Sequence, residues 1–563
     1  MTTSFVIPPA LALIAAGLLI PFLSGALRTA VLLIAPVVAL WLIWQVPDGV
    51  QVSASWLGYQ VEIVRGDKLA RLFATVFAIM AFAGGLFSLN QSSSFELGSA
   101  YAYAGGAIGV TFAGDLITVF VFWEIMAVAS TLVVWSGGRG ATGSGLRYAA
   151  VHMFGGVLLM AGITGEILNT GSIAFHVMDT RTVSRWLILA GFLINAGAPP
   201  LSAWLPDAYP AASWSGMVFL SAFTTKTAVY VLLRGFPGTE LLIYVGLYMV
   251  FYGIIYAILE NDMRRILAYS IINQVGFMVT GIGIGSEMAL NGAAAHAFTH
   301  IIYKALLLMS AGSVLLMTGK NKCTDLGGLF RTMPYTMVMG VIGALAISSF
   351  PLTSGFISKS MISQGAANAH MAFVWFMLAA ASAGVFLHAG IKFPWFVFFQ
   401  KDSGLRPPEP PWNMRAGMAI MAAFCIGLGI WPGPLYDLLP YPVDYVPYTP
   451  SHVVYQLQLL LFSGLAFFIL LGMLKRTETI TLDFDWFYRK PGGWISRGMN
   501  DELERGWSRL MDRTDNALGR INAGIYRFHG PDGVFGRTWP TGRMAFWATV
   551  MLGAYVLLGN YLS

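Results

Sequence analysis

The stretch AAAHAFTHIIYKALLLMSAG, residues 293–312, places three ionisable side chains inside an apolar run. His296, His300 and Lys304 fall at i, i+4 and i+8, and helical geometry stacks all three on one face. The run continues over about 288–318, longer than the roughly 20 helical residues that cross the hydrocarbon of a bilayer. A charge at that depth is costly unless it is paired or hydrated, so such a residue marks a functional site by default. The stretch therefore reads as a membrane-spanning helix with one working face.

Similar apolar runs recur to either side, near 4–24, 28–46, 69–90, 97–113, 115–136, 146–168, 186–205, 214–234, 241–259 and 264–284, then 336–365, 372–399, 413–432, 452–474 and 541–562. Together they predict an all-α polytopic membrane protein of about sixteen transmembrane helices. Composition agrees: 56% of the 563 residues are hydrophobic and 11% charged, against roughly a quarter charged in soluble domains. A soluble protein is excluded. The mild excess of 33 basic over 27 acidic residues does not imply nucleic-acid binding. The start, MTTSFVIPPALALIAAGLLIPFL, lacks a basic n-region and a small-residue cleavage site, so a retained helix is expected there rather than a signal peptide. Cys323 and Cys425 stand far apart without a CxxC partner, which argues against iron–sulfur, structural zinc or a disulfide framework. No metal or cofactor is expected on this chain.

Alternating the spans across the membrane gathers Arg28, Arg139, Arg147, Arg264, Arg265, Lys320, Lys322, Arg331, Lys401, Arg406, Arg415, Lys475 and Arg476 on one side. The other side receives mixed or acidic loops, with Glu62, Asp67, Asp179, Glu240, Asp437 and Asp444. Basic loops stay cytoplasmic, so both termini are expected outside the cytoplasm. Between the last two spans, MNDELERGWSRLMDRTDNALGRINAGIYRF puts Leu503, Trp507, Leu510, Leu518, Ile521 and Ile525 on one helical stripe. An amphipathic helix of roughly 45 Å, lying along the cytoplasmic interface, is expected there. The organisation expected is 1–95 as N-terminal spans, 96–400 as core, 401–474 as further spans, 475–540 as the amphipathic segment and 541–563 as the final span.

Other ionisable residues share the depth of the histidine pair. Glu124 in ITVFVFWEIMAVAS and Lys226 in MVFLSAFTTKTAVYVLL are both central in their spans, and Lys359 follows the helix-breaking SSFPLTSGFISK. His388 and Lys392 repeat the i, i+4 spacing. Singly, His152 and His388 read as packing histidines, and Lys392 can snorkel from a span end. As a set, one carboxylate, three lysines and an imidazole pair are hard to explain by packing. Burial and a partner charge tune a lysine's proton affinity, and histidine titrates near neutrality unaided. Sodium would want a cage of oxygen ligands, and one mid-span carboxylate does not supply it. The pattern favours protons. Prolines interrupt two spans, NAGAPPLSAWLPDA at Pro199 and Pro200 and ISSFPLTSGFISK at Pro351. The echo of Pro200-Leu201-Ser202 in Pro351-Leu352-Thr353 suggests two structural repeats, and paired interruptions point to a transport path.

These residues resemble a known family. FWEIM at 122–126, PLSAWLPDAYPAAS at 200–213, TTKTAVYVLLR at 224–234, NDMRRILAYSIINQVGFM at 261–278, HAFTHIIYKALLLMSAGS at 296–313, DLGGLFRTMP at 325–334 and FPLTSGFISK at 350–359 follow, in order, the pattern of antiporter-like subunits. That family is shared by respiratory complex I and Mrp-type sodium/proton antiporters. The core looks closest to the D-type member of Mrp antiporters, and the C-terminal end resembles the lateral-helix extension of larger members. The resemblance implies two inverted five-helix repeats, each with a broken helix, and a central axis of charged residues that carries protons. Glu124, Lys226, His296, His300, Lys304 and Lys359 match that axis position by position. Asn195 departs from it, since the family usually carries a lysine there to pair with the Glu124 carboxylate; Lys226 or a water chain is expected to take over. His152, His388 and Lys392 are auxiliary candidates. The expected function is a subunit of a multisubunit cation/proton antiporter in the cell inner membrane, handling H⁺ and Na⁺ beside other subunits. The alternative is a proton-pumping subunit of an NADH-quinone oxidoreductase or membrane hydrogenase. An enzyme in its own right is not expected, because no nucleophile or metal constellation is present in the sequence.

Overall fold

A backbone in lipid must satisfy its polar groups internally, and helices do this segment by segment. The computed structural model describes residues 6–478 and 482–562. It begins with α1 (Ala10–Leu19) and α2 (Gly25–Gln45), then a hairpin of β1 (Gly49–Trp56) and β2 (Tyr59–Gly66), then α3 (Lys68–Phe87). A first group of five crossings follows: α4 (Ser94–Phe112), α5 (Leu116–Trp135), α6 (Thr142–Thr170), α7 (Val183–Ala196) with α8 (Trp204–Ala208), and α9 (Gly216–Leu220) with α10 (Thr224–Gly235). A second group repeats the order with α11 (Leu241–Leu259), α12 (Met263–Ile284), α13 (Glu287–Thr318), α14 (Pro334–Ile347) with α15 (Ser354–Asn368), and α16 (Ala372–Val385). Five crossings reverse the starting side, so the two groups are inverted in the membrane.

The chain continues through α17 (Trp412–Ile430), the short α18 (Gly433–Tyr436), α19 (Pro450–Ile469) and the short α20 (Leu471–Leu474). Contacts divide it into two units, one ending at Asp485 and one starting at Trp486. After α21 (Asp485–Arg489), the second unit holds α22 (Pro491–His529) and α23 (Thr541–Leu562). The 39-residue α22 contains the expected amphipathic stretch, and its Leu503, Trp507, Leu510, Leu518, Ile521 and Ile525 are exposed within that unit.

Twelve of the described helical stretches are long and apolar enough to cross a membrane. The expected sixteen are not reached by that measure. Three other expected spans appear as shorter apolar helices, Ala10–Phe22, Val183–Ala196 and Pro334–Ile347. The fourth is α4, a helix rich in glycine, serine and tyrosine. The two breaks expected at proline are present. Gly197 ends α7 in the left-handed region at φ +80°, and the Ile194 carbonyl accepts both the Gly197 amide at 3.1 Å and Nε1 of Trp204 of α8 at 2.9 Å. Between α14 and α15, Ser349 and Leu352 both hold positive φ, a strained backbone for L residues.

Two features differ from the sequence reading. The fifth crossing of the first group, expected as one span over 214–234, is interrupted at residues 221–223. Residues 49–66, left among the loops, pair as an antiparallel hairpin because QVSASW and YQVEIV alternate in β-forming residues. Asp115, which caps α5, accepts a bond from the Glu62 amide at 2.7 Å and ties the hairpin to the first repeat.

Candidate functional site

Each helix break frees carbonyls that lipid cannot satisfy, and the buried lysines sit on them. Lys226, wholly buried, donates from Nζ to the Ser221 carbonyl at 2.6 Å and to the Thr225 hydroxyl at 3.0 Å. Ser221 is the C-cap of α9, so the ammonium lies at the negative end of that half-helix. Lys359 repeats the device in the second group, donating at 2.9 Å to the carbonyl of Ile347, the last residue of α14. Its Nζ also lies 4.9 Å from the centre of the Phe277 ring. Thus each inverted repeat holds a lysine against a severed helix end.

Between them runs α13, an unbroken 32-residue helix that carries the histidine pair and Lys304 on one buried face. His296 contacts the Ser358 hydroxyl at 3.0 Å through Nδ1 and the Gln274 side-chain oxygen at 3.1 Å through Nε2. Ser358 is the neighbour of Lys359, and Thr299 joins it at 2.8 Å, so His296 is hydrogen-bonded into the second broken helix. The rings of His296 and His300 lie 6.2 Å apart. Both nitrogens of His300 and the Nζ of Lys304 are buried without a hydrogen-bond partner among the described residues. Lys226 and Lys304 both act electrostatically on His300, and Lys359 on His296. The row therefore joins the two repeats through the face of α13. Unpartnered buried nitrogens in such a row are the positions that a bridging water would fill.

Glu124 is half-buried on α5, and its Oε1 lacks a partner among the described residues. A Cβ on Gly156 would lie 2.3 Å from that oxygen, so the carboxylate rests on a bare patch of α6. The adjacent Gly155 faces Asn195, whose Oδ1 lies 3.6 Å from the equivalent point. Glu124 and Asn195 thus flank one glycine pair, and the amide supplies no charge to the carboxylate. His152 stacks on Tyr148 at 3.9 Å and meets Trp204 edge-on at 4.7 Å, which is a packing environment. Its Nδ1 contacts the Tyr148 carbonyl at 2.9 Å. His388 and Lys392 lie buried just beyond the end of α16, close to the second broken helix.

A cavity of about 320 Å³ opens beside Lys359. Polar groups from three helices line it, among them Ser360, Ser382, Gln456 and His452. Among the described residues no three His, Cys, Asp or Glu side chains gather as metal ligands. Cys323 and Cys425 are free and buried.

Sequence reasoning missed the buried network around Glu96. Glu96 is 1% exposed and accepts from Ser213 at 2.6 Å, Ser215 at 2.7 Å and Gln91 at 3.3 Å. Next to it Arg264 donates to the carbonyls of Pro210, Ala212 and Ser213, the strand of chain that leaves the first broken helix. In sequence, Ser93 and Glu96 form a capping-box pattern, which explains the glutamate as a helix start and hides its burial.

Residues 113–386 match the family described as NADH:quinone oxidoreductase/Mrp antiporter, transmembrane. The chain is 34% identical over 322 residues to the D-type component of the Na(+)/H(+) antiporter of Alkalihalophilus pseudofirmus, covering 52% of this chain and 65% of that one. It is 32% identical over 342 residues to the N-type component of the NADH-quinone oxidoreductase of Desulforudis audaxviator, covering 56% and 66%. Both matches span just under two thirds of the relative's own length. An uncharacterized protein of Mycobacterium tuberculosis is 30% identical over 431 residues, 68% of this chain and 67% of that one. Among solved structures, a chain of the archaeal membrane-bound sulfane sulfur reductase superposes with TM-score 0.71 at 22% identity, over 98% of this chain and 99% of that one. A chain of the Mrp complex from Dietzia superposes with TM-score 0.70 at 20% identity, over 99% and 63%. These two likenesses speak to the fold, and the sequence matches to the lineage. With the inverted repeats, the severed helices and the buried lysine row, they make this multi-pass membrane protein a member of the NADH:quinone oxidoreductase/Mrp antiporter transmembrane family.

Proposed function

We propose that the chain is a proton-conducting subunit of a multisubunit monovalent cation (Na⁺)/H⁺ antiporter. The observation that carries this reading is the buried row from Lys226 through His300, Lys304 and His296 to Lys359, anchored at both ends on severed helices. Protons pass along the row as Lys226 and Lys359 exchange their carbonyl partners for a neighbouring imidazole or water and Lys304 relays between them. Glu124 feeds the first repeat, and Lys226 takes the part that an ammonium at position 195 would play. The cavity beside Lys359 connects the row to one membrane face. By the distribution of basic loops that face is non-cytoplasmic, both termini lie outside the cytoplasm, and α22 lies along the cytoplasmic interface of the inner membrane. Residues 96–400 form the translocating core, and the remaining helices brace neighbouring subunits.

The test is transport by the whole complex in everted membrane vesicles. E124A and K359A should abolish the collapse of a pH gradient on adding Na⁺, with assembly intact. An unchanged sodium-dependent pH response in either variant would sink the proposal.

A second reading is a proton-pumping subunit of a redox-driven complex. It is favoured by the 32% identity to the N-type component of an NADH-quinone oxidoreductase. Co-purification separates the two: small membrane subunits support antiport, and iron–sulfur or flavin subunits support redox drive.

A further inference from the structure

The fifth crossing of each inverted group is irregular, and the second of these carries chemistry that the row above does not use. In the first group α9 and α10 are interrupted and Lys226 sits on a helix-end carbonyl. In the second group α16 passes at Phe386 into a π-helical turn that runs to Lys392. π-Turns are rare and concentrate at functional positions. Lys392 is 1% exposed, and its Nζ donates to the carbonyls of Ala257 at 3.2 Å, Ile258, and Glu260 at 2.6 Å, the C-terminal end of α11. It is the same device as Lys226 and Lys359: a buried ammonium on unsatisfied carbonyls at a helix end.

His388 lies one turn away, wholly buried. Its Nδ1 is 2.9 Å from the Gly384 carbonyl, which can only accept, so in the neutral ring Nδ1 carries the hydrogen and Nε2 is the basic nitrogen. That Nε2 is buried with no partner among the described residues, as is the Nζ of Lys304. His388 lies within electrostatic range of Lys304, Lys392 and Lys359. The π-turn also packs against the second broken helix, since a Cβ on Gly390 would come within 2.4 Å of the Ser348 hydroxyl. At the outer end, the Glu260 side chain is partly open to solvent and paired with Arg265 at 2.8 Å. Glu260 and the buried Cys323 are the titratable groups that meet Lys392 from the other elements.

We propose that Lys392 and His388 form a second proton branch, leading from the membrane face at Glu260 to Lys304, and that transport needs this branch together with the Glu124 entry. Lys392 passes a proton to Nε2 of His388, which passes it to the free amine of Lys304; Lys392 is then recharged from the Glu260 face. The branch rests on the proton-conducting reading above.

The experiment uses the full chain in its complex, in everted vesicles, with rates normalised to assembled complex on native gels. Arginine holds the three carbonyls but does not give up its proton, whereas histidine titrates. Transport by K392R and by H388Q should fall at least about tenfold, and K392H should recover a substantial part of the rate. Wild-type rates in K392R would show that Lys392 is a structural cap and overturn the branch. So would wild-type rates in H388Q, which decides the matter if K392R does not assemble. K359A runs alongside: full activity there removes the underlying reading, while an inactive K359A with active H388Q and K392R removes only the branch.

Discussion

Glu124 depends on a residue that has no side chain. Its Oε1 occupies the space where a Cβ of Gly156 would stand, 2.3 Å from that point. G156A should therefore push the carboxylate off α6. The displaced atom is the tip of a flexible side chain, and alanine favours a helix interior over glycine, so stability should change by less than about 1 kcal/mol. Transport should fall at least about fivefold, because the carboxylate is misplaced relative to its proton partners. Vesicle assays with thermal melts of the purified complex check both halves. Wild-type transport in G156A would mean that Glu124 works equally well from another position. At this scale the sequence was informative about identity and silent about contacts. Glu124, Lys226, Lys304 and Lys359 stood out because charge in an apolar run is anomalous. That Lys304 lacks a partner among the described residues while Lys226 has two could not be read, since it depends on where another helix ends.

At the scale of elements, the broken helices explain most of the buried polar chemistry. Arg264 shows the energetic weight of the arrangement: it satisfies three carbonyls where the first broken helix hands over to the next crossing. R264A should strand the Pro210 and Ala212 carbonyls, while the Ser213 carbonyl keeps the Met217 amide, and lower stability by roughly 2 kcal/mol. R264K should recover part of the loss, since one ammonium reaches fewer of them. Thermal unfolding of the solubilised complex measures this, and a melting point unchanged in R264A would contradict it. The proline breaks were legible because proline removes a donor and leaves a mark in the sequence. The interruption at residues 221–223 carries no such mark. Its sequence, SAF followed by two threonines, would continue a helix, and the break persists because Lys226 and the packing of the first repeat hold it open. Glu96 was hidden for the opposite reason, since a local motif accounted for it too well.

Across the whole molecule, the first unit ends in a latch. Asp483 is buried and accepts from the hydroxyls of Tyr252 at 2.7 Å and Tyr269 at 2.6 Å, one from α11 and one from α12. These are helices of the second repeat. The double variant Y252F/Y269F leaves that carboxylate buried without its hydroxyl donors, and the segment 482–485 should loosen. Amide hydrogen exchange in a peptide containing Phe484 should quicken, while exchange in α13 stays slow. Equal protection in the variant would show that the latch contributes nothing. The overall architecture was legible at this scale, because hydrophobic runs of membrane length dominate the chain. The number of spans was less so: of the sixteen expected, twelve are long and apolar enough to cross a membrane among the described residues, while α1, α7 and α14 are short and α4 is only weakly apolar.

The lysines that grip severed helix ends carry one more implication. A half-helix can tilt only if the donor on its last carbonyl lets go or follows, and the donor can discharge only if the carbonyl finds other company. Position and charge are therefore a single variable at Lys226 and at Lys359. On the proposed proton route, a displacement of a fraction of an ångström in one half of the protein would reach the other as a relocated positive charge, without a swinging domain.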